Sequence, residues 1–208
     1  FKILKKKKNF LKIKTIYDNY SGYIKKSKFK KKINFTHKVK VLKTKINKSS
    51  NYLPFLSKIE ILDRKNNYVM FEKNKWIKNK DICKISEKEK NFRKIFQLFL
   101  NCKYKWGGKT YKGIDCSALI QLYYKYNNRF FPRDTIDQIK IKKGLFRKNN
   151  YKKGDIIFWK GHVAVCISNK ELIHAYGPKK KVIVMPINKT IDRIKKTANL
   201  KVRKICII

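Results

Sequence analysis

The sequence predicts an α+β domain, helices packed on a mostly antiparallel sheet, preceded by small all-β modules. Three observations carry that expectation. Over residues 1 to about 85, short runs of Ile, Val, Tyr, Phe and Leu alternate with lysine and break at Asp18-Asn19, Asn47 to Ser50 and Asn66-Asn67, the pattern of small antiparallel strands. Beyond residue 85, apolar residues twice recur at helical spacing. The C-terminal half then supplies strand-like stretches at 155–159, 162–167, 171–176, 181–186 and 202–207. Helices first and a sheet afterwards describe the α+β class.

In chain order, two β modules are expected over 1–45 and 46–85, and the α+β domain over 86–208. Ser86 followed by Glu89 has the form of a capping box, and Phe92, Ile95, Phe96 and Phe99 fall at helical spacing, so a helix is expected to start at Ser86. A second helix is read over Ser117–Tyr126, with Leu119, Ile120, Tyr123 and Tyr126 on its buried face and Asp115 as its cap. That places Cys116 in the first turn. Unpaired N–H groups and the helix dipole favour a negative sulfur there, so the thiol pKa is expected to be lowered, more so beside an imidazolium.

Two of the three histidines fall on one expected hairpin, His162 at the start of one strand and His174 in the next, with Ser168-Asn-Lys170 between them. Strand parity makes a sharp demand. A two-residue loop sends the two rings to opposite faces, whereas an odd loop or a bulge puts them on one face. An odd loop or bulge is the expectation, with His174 holding one ring nitrogen of His162 while the other faces Cys116. Thiol, imidazole and an orienting polar group are the parts of a nucleophilic cysteine hydrolase.

From about Ser86 to Ile208 the chain resembles the NlpC/P60 cysteine peptidases, a papain-like group that cuts bacterial cell-wall peptides. The matching pieces are Tyr104, Trp106-Gly-Gly108, Gly113-Ile-Asp-Cys-Ser117, Pro132-Arg-Asp-Thr135 with Gln138, Lys153-Gly-Asp-Ile-Ile-Phe-Trp159, Gly161-His-Val-Ala-Val165 and Leu172-Ile-His-Ala175. The resemblance implies Cys116 as nucleophile, His162 as general base and then acid, His174 as orienting residue, and Tyr104, Asp115 and Ser117 as substrate-binding candidates. It implies a thioester acyl-enzyme and neither cofactor nor metal. Peptidoglycan-derived peptides are the implied substrate, the γ-D-glutamyl-diamino acid bond first among them. The stretches Tyr17 to Val41 and Leu53 to Ile82 look like bacterial SH3-like modules, which in such architectures narrow the cleft and often select a free substrate amino terminus. Rival readings are a muramoyl-peptide amidase or acyltransferase on the same scaffold, and a non-catalytic basic module gripping polyanions.

A net charge of +43 would ordinarily point to nucleic acid. Yet 49 of the 56 basic residues are lysine, and the chain is rich in Asn, Ile, Phe and Tyr with only 4 alanines, the preferences of A+T-rich codons. Most of the lysine is therefore read as solvated surface, which attracts anionic wall peptides and gives non-specific nucleic-acid adhesion. No run of apolar residues is long enough to span a membrane, and the opening Phe-Lys-Ile-Leu-Lys lacks a secretory core. Five cysteines without a CxxC pair fit a reducing compartment and give no recognisable zinc spacing. A cytoplasmic location is expected, or a periplasmic one if a leader has been removed.

Overall fold

A computed structural model of the chain describes residues 1–27, 34–141, 143–145 and 150–208. The expected strands appear at the N-terminal end. β1 (Lys2–Lys6), β2 (Phe10–Lys14) and β3 (Ser21–Lys25) form one antiparallel sheet in that order. Eight short strands follow: β4 (His37–Val39), β5 (Lys43–Lys45), β6 (Tyr52–Pro54), β7 (Lys58–Ile59), β8 (Asp63–Lys65), β9 (Tyr68–Glu72), β10 (Lys75–Lys78) and β11 (Ile82–Lys84). They pair as β10-β9-β8, β11-β4-β7 and β5-β6 around one small core of Val39, Ile59, Val69, Ile77 and Ile82. β5 pairs with β6 across the boundary expected after residue 45, so the residues on either side of it pack as one unit.

The remaining elements are α1 (Phe92–Leu98), the short pair β12 (Lys109–Thr110) and β13 (Gly113–Ile114), α2 (Cys116–Tyr126), α3 (Thr135–Ile141), β14 (Asp155–Trp159), β15 (His162–Cys166), β16 (Glu171–Tyr176), β17 (Lys181–Pro186), α4 (Ile187–Ala198) and β18 (Lys204–Ile207). The last five strands form one antiparallel sheet in the order β17-β16-β15-β14-β18. Period-two alternation sorts its side chains into two layers. Ile156, Phe158, Val163, Val165, Ile173 and Ala175 pack towards α1 and α2. Ile157, Trp159, Ala164, Cys166, Leu172 and Tyr176 form the opposite layer with Ile187 and Ile194 of α4. Both faces are covered, which is why these strands read as nearly continuous apolar runs.

One sequence expectation is corrected. The first helix starts at Phe92, not Ser86, and its cap is Asn91, whose side chain accepts from the Arg93 N–H at 3.2 Å. Other partners, two of them remote in sequence, claim the groups that a helix from Ser86 needs. The carbonyls of Ile85 and Glu87 accept from the Lys38 ammonium at 3.1 and 2.6 Å, the Glu89 N–H donates to the Asn127 side chain, and the Glu89 carboxylate accepts from the Asn91 N–H.

That lysine is itself a main tie between the two halves. Lys38 is only 2% exposed, and its third donor reaches the carbonyl of Tyr126 at the end of α2, at 2.6 Å. The ammonium also lies 3.9 Å from the centroid of the Tyr126 ring. Phe55 stacks on the same ring at 5.6 Å and meets Phe99 edge-on, so the N-terminal strands contribute to the core beneath α1 and α2. Burial pulls the Lys38 pKa below the ordinary lysine value.

Candidate active site

Cys116 is the first residue of α2. Asp115 caps the helix by accepting from the Ala118 N–H at 2.8 Å, as its position in the sequence leads one to expect. The approach to the cap depends on two glycines. Gly107 has φ 74° and donates its N–H to Asp115 at 2.9 Å. A Cβ on Gly108 would lie 2.4 Å from the Gly113 carbonyl oxygen, so only glycine fits there.

Asp115 does far more than cap. Arg133, which lies in the turn before α3, grips it bidentately at 3.0 and 2.5 Å, and both side chains are almost wholly buried. Arg133 also donates to the Ser117 hydroxyl at 2.8 Å, and that hydroxyl donates to Asp115 at 3.1 Å. Gln138 of α3 donates to the carbonyls of Ser117 and Pro132, both at 2.9 Å. Arg133 and Gln138 were legible only as matching residues in the motif. Their role in bracing the nucleophile turn needs a contact across more than fifteen residues, which local pattern does not supply. Of the three binding candidates, Asp115 and Ser117 are thus committed to this network. Tyr104 is partly buried and near the reacting groups: burial raises its hydroxyl pKa, and the Asp115 carboxylate pushes it the same way.

The hairpin has the parity the pair of histidines requires. β15 and β16 pair with Val165 opposite Ile173 and Cys166 opposite Leu172, and the Ile167 N–H donates to the Glu171 carbonyl at 2.9 Å. Residues 168–170 are then a three-residue loop, and His162 and His174 share a face. Their rings meet with His162 Nε2 2.9 Å from His174 Nδ1. Tyr176 stacks on His174 at 4.6 Å and 11°, and Trp159 flanks His162 at 5.6 Å. His174 Nε2 ends the chain of contacts at the Met185 sulfur, 3.4 Å away. The backbone N–H of Val163 is directed at the Cys116 sulfur together with those of Ser117 and Cys116 itself, which puts the thiol one peptide unit from His162.

The ionisation expectation is corrected. Burial, followed by the Asp115 charge, pushes the Cys116 thiol up to about 11, against the smaller opposing effect of the three N–H groups. Burial likewise takes His162 down to about 4, and His174 lies well below the ordinary histidine value through burial and its neighbour. The resting pair is a neutral thiol and a neutral imidazole. Desolvation of a sulfur that is 6% exposed outweighs the helix N-terminus. Among the described residues no group of three or more His, Cys, Asp or Glu is placed to hold a metal ion.

Residues 101–199 match the model of the NlpC/P60 family. The chain is 27% identical over 153 residues to a gamma-D-glutamyl-L-lysine dipeptidyl-peptidase of Bacillus subtilis, covering 67% of this chain and 51% of that protein. It is 33% identical over 79 residues to the murein DD-endopeptidase MepS/murein LD-carboxypeptidase of Escherichia coli K12, covering 35% of this chain and 42% of that one. The chain thus spans about half the length of these curated relatives, or less. Among solved structures, an NlpC/P60 family protein from Bacillus cereus superposes with a TM-score of 0.74 at 20% identity, over 89% of this chain and 73% of that one. NlpC2 from Trichomonas vaginalis gives 0.51 at 20% identity, over 98% and 82%. The fold is therefore the papain-like α+β fold of that family, with several small sheets before it.

Proposed function

We propose that this chain, whose residues 101–199 are an NlpC/P60 domain, is a cysteine peptidase that hydrolyses peptidoglycan peptides. The observation that carries the reading is the 2.9 Å contact between His162 and His174 on a strand whose next N–H group is directed at the Cys116 sulfur. A buried neutral thiol and a half-buried neutral imidazole suit general-base attack: the sulfur proton passes to His162 Nδ1 as sulfur bonds to the substrate carbonyl carbon. The resulting oxyanion is held by the Cys116 N–H at the helix N-terminus and one further donor. His162 then returns the proton to the departing amine, and water hydrolyses the thioester.

His162 stays neutral, and able to accept a proton, down to about pH 4. A pH–rate profile should accordingly show activity persisting below the ordinary histidine range for as long as the protein stays folded. The γ-D-glutamyl-diamino acid bond is the first candidate for the scissile bond. Support for that bond comes from the relative that is a gamma-D-glutamyl-L-lysine dipeptidyl-peptidase, while the murein DD-endopeptidase/LD-carboxypeptidase supports only the murein substrate class. The N-terminal strands, read as SH3-like modules, border the catalytic domain through Asp18, which accepts from Gln121 at 2.9 Å and pairs with Lys109 at 3.8 Å.

The test is mass spectrometry of L-Ala-γ-D-Glu-diaminopimelate, free and amino-blocked, with circular dichroism on each variant. Cys116→Ala and His162→Ala should each lower turnover by at least roughly 10⁴-fold with unchanged spectra. Normal turnover by Cys116→Ala would remove the proposal.

A further inference from the structure

We infer that Met185 fixes the proton arrangement of the two histidines and so keeps His162 in the tautomer that can accept a proton at Nδ1. The inference rests on the hydrolase reading for its rate consequence, though not for the proton arrangement itself. It follows from counting donors and acceptors along one line of contacts: Met185 sulfur, His174 Nε2, His174 Nδ1, His162 Nε2.

A thioether sulfur carries no hydrogen and can only accept. His174 Nε2, 3.4 Å from it, is therefore the N–H end of that ring. Because His174 is fully buried and its pKa lies far below the ordinary value, the ring carries one proton, and Nδ1 is left with a lone pair. Facing that lone pair at 2.9 Å, His162 Nε2 must in turn be an N–H. His162 is also neutral, so its Nδ1 is the unprotonated nitrogen. The opposite arrangement would set the His174 Nε2 lone pair against sulfur lone pairs and leave an N–H at His162 Nδ1, where nothing could be accepted.

Geometry holds the line in place. Ile183 is the cross-strand partner of His174 on β17, and Met185 lies two residues further along the same strand, on the same face. Stacking of Tyr176 on His174 at 11° restrains the ring from turning Nε2 away from the sulfur. Met185 thus acts through His174 and touches no reacting atom. It is a positioning residue.

The experiment uses the full chain labelled with ¹⁵N-histidine and two variants, Met185→Leu and Met185→Gln. Imidazole ¹H–¹⁵N correlation spectra report the tautomer of each ring directly. The wild type should show His162 and His174 both protonated at Nε2. Leucine conserves volume but offers no acceptor, so Met185→Leu should give mixed tautomers and lower kcat roughly fivefold, the rate equivalent of one weak hydrogen bond, with KM unchanged. Glutamine can accept through its carbonyl oxygen, and Met185→Gln should recover both the spectrum and most of kcat. A proton on His162 Nδ1 in the wild type would overturn the inference. So would Met185→Leu spectra identical to the wild type. If the wild-type rings are protonated as stated but no muropeptide is cleaved, the hydrolase reading falls and the role of Met185 stands.

Discussion

The β1–β3 sheet and the β14–β18 sheet both carry large apolar side chains, with opposite results. All five residues of β1 are exposed, and Ile3, Leu4 and Phe10 stay 42%, 46% and 43% accessible. All five residues of β14 are buried, because α1 and α2 cover one face of its sheet and α4 the other. Lysine makes the contrast sharper still. Along β1 it is an exposed side chain, whereas Lys38 is sealed inside with each of its three hydrogens on a carbonyl. Composition therefore says little about what a lysine does here; its partners decide.

The largest expected effect sharpens that contrast on the catalytic side. Arg133→Met leaves the Asp115 carboxylate buried without its partner and should cost about 3 to 5 kcal/mol in urea unfolding, with activity lost as the nucleophile turn loosens. A cost below 1 kcal/mol would mean the pair is solvated in solution.

Acid should act next. His162 and His174 bind protons less readily folded than unfolded, so their contribution to stability is complete above pH 6.5 and drains as pH falls towards 4. The loss should be on the order of 3 kcal/mol for His162 alone, read from denaturation midpoints across that window. His174→Gln should flatten the slope. An unchanged slope would assign the acid sensitivity elsewhere.

Lys38→Met should cost about 2 kcal/mol, since three carbonyls lose their donor. Lys5→Gln on β1 should change stability by less than about 0.5 kcal/mol. Equal costs for these two would break the comparison between solvated and sealed lysines.

Legibility in the sequence followed the range of the interaction. The cap at Asp115 and the helix it starts were readable because donor and acceptor lie within three residues. The loop at 168–170 was readable in part, because parity requires an odd loop or a bulge to put His162 and His174 on one face, and the three-residue loop is the odd one. The start of α1 was not readable, since Lys38 and Asn127, remote in sequence, take the backbone groups that a cap at Ser86 needs. Nor was the clamp of Arg133 on Asp115, which only the turn before α3 brings together. The thiol pKa went the other way because the sequence shows a helix N-terminus but not the depth at which the sulfur is buried.

Lys38 has one more implication. The tail of the nucleophile helix is finished by an ammonium from a strand some ninety residues earlier, and Phe55 roofs the aromatic ring beside it. Anyone excising residues 86–208 to obtain a minimal enzyme would strip the carbonyls of Glu87 and Tyr126 of their shared donor and uncover that ring, so the shortened protein should aggregate or lose its grip on Cys116. Swapping in a foreign N-terminal half would demand a lysine at the matching spot.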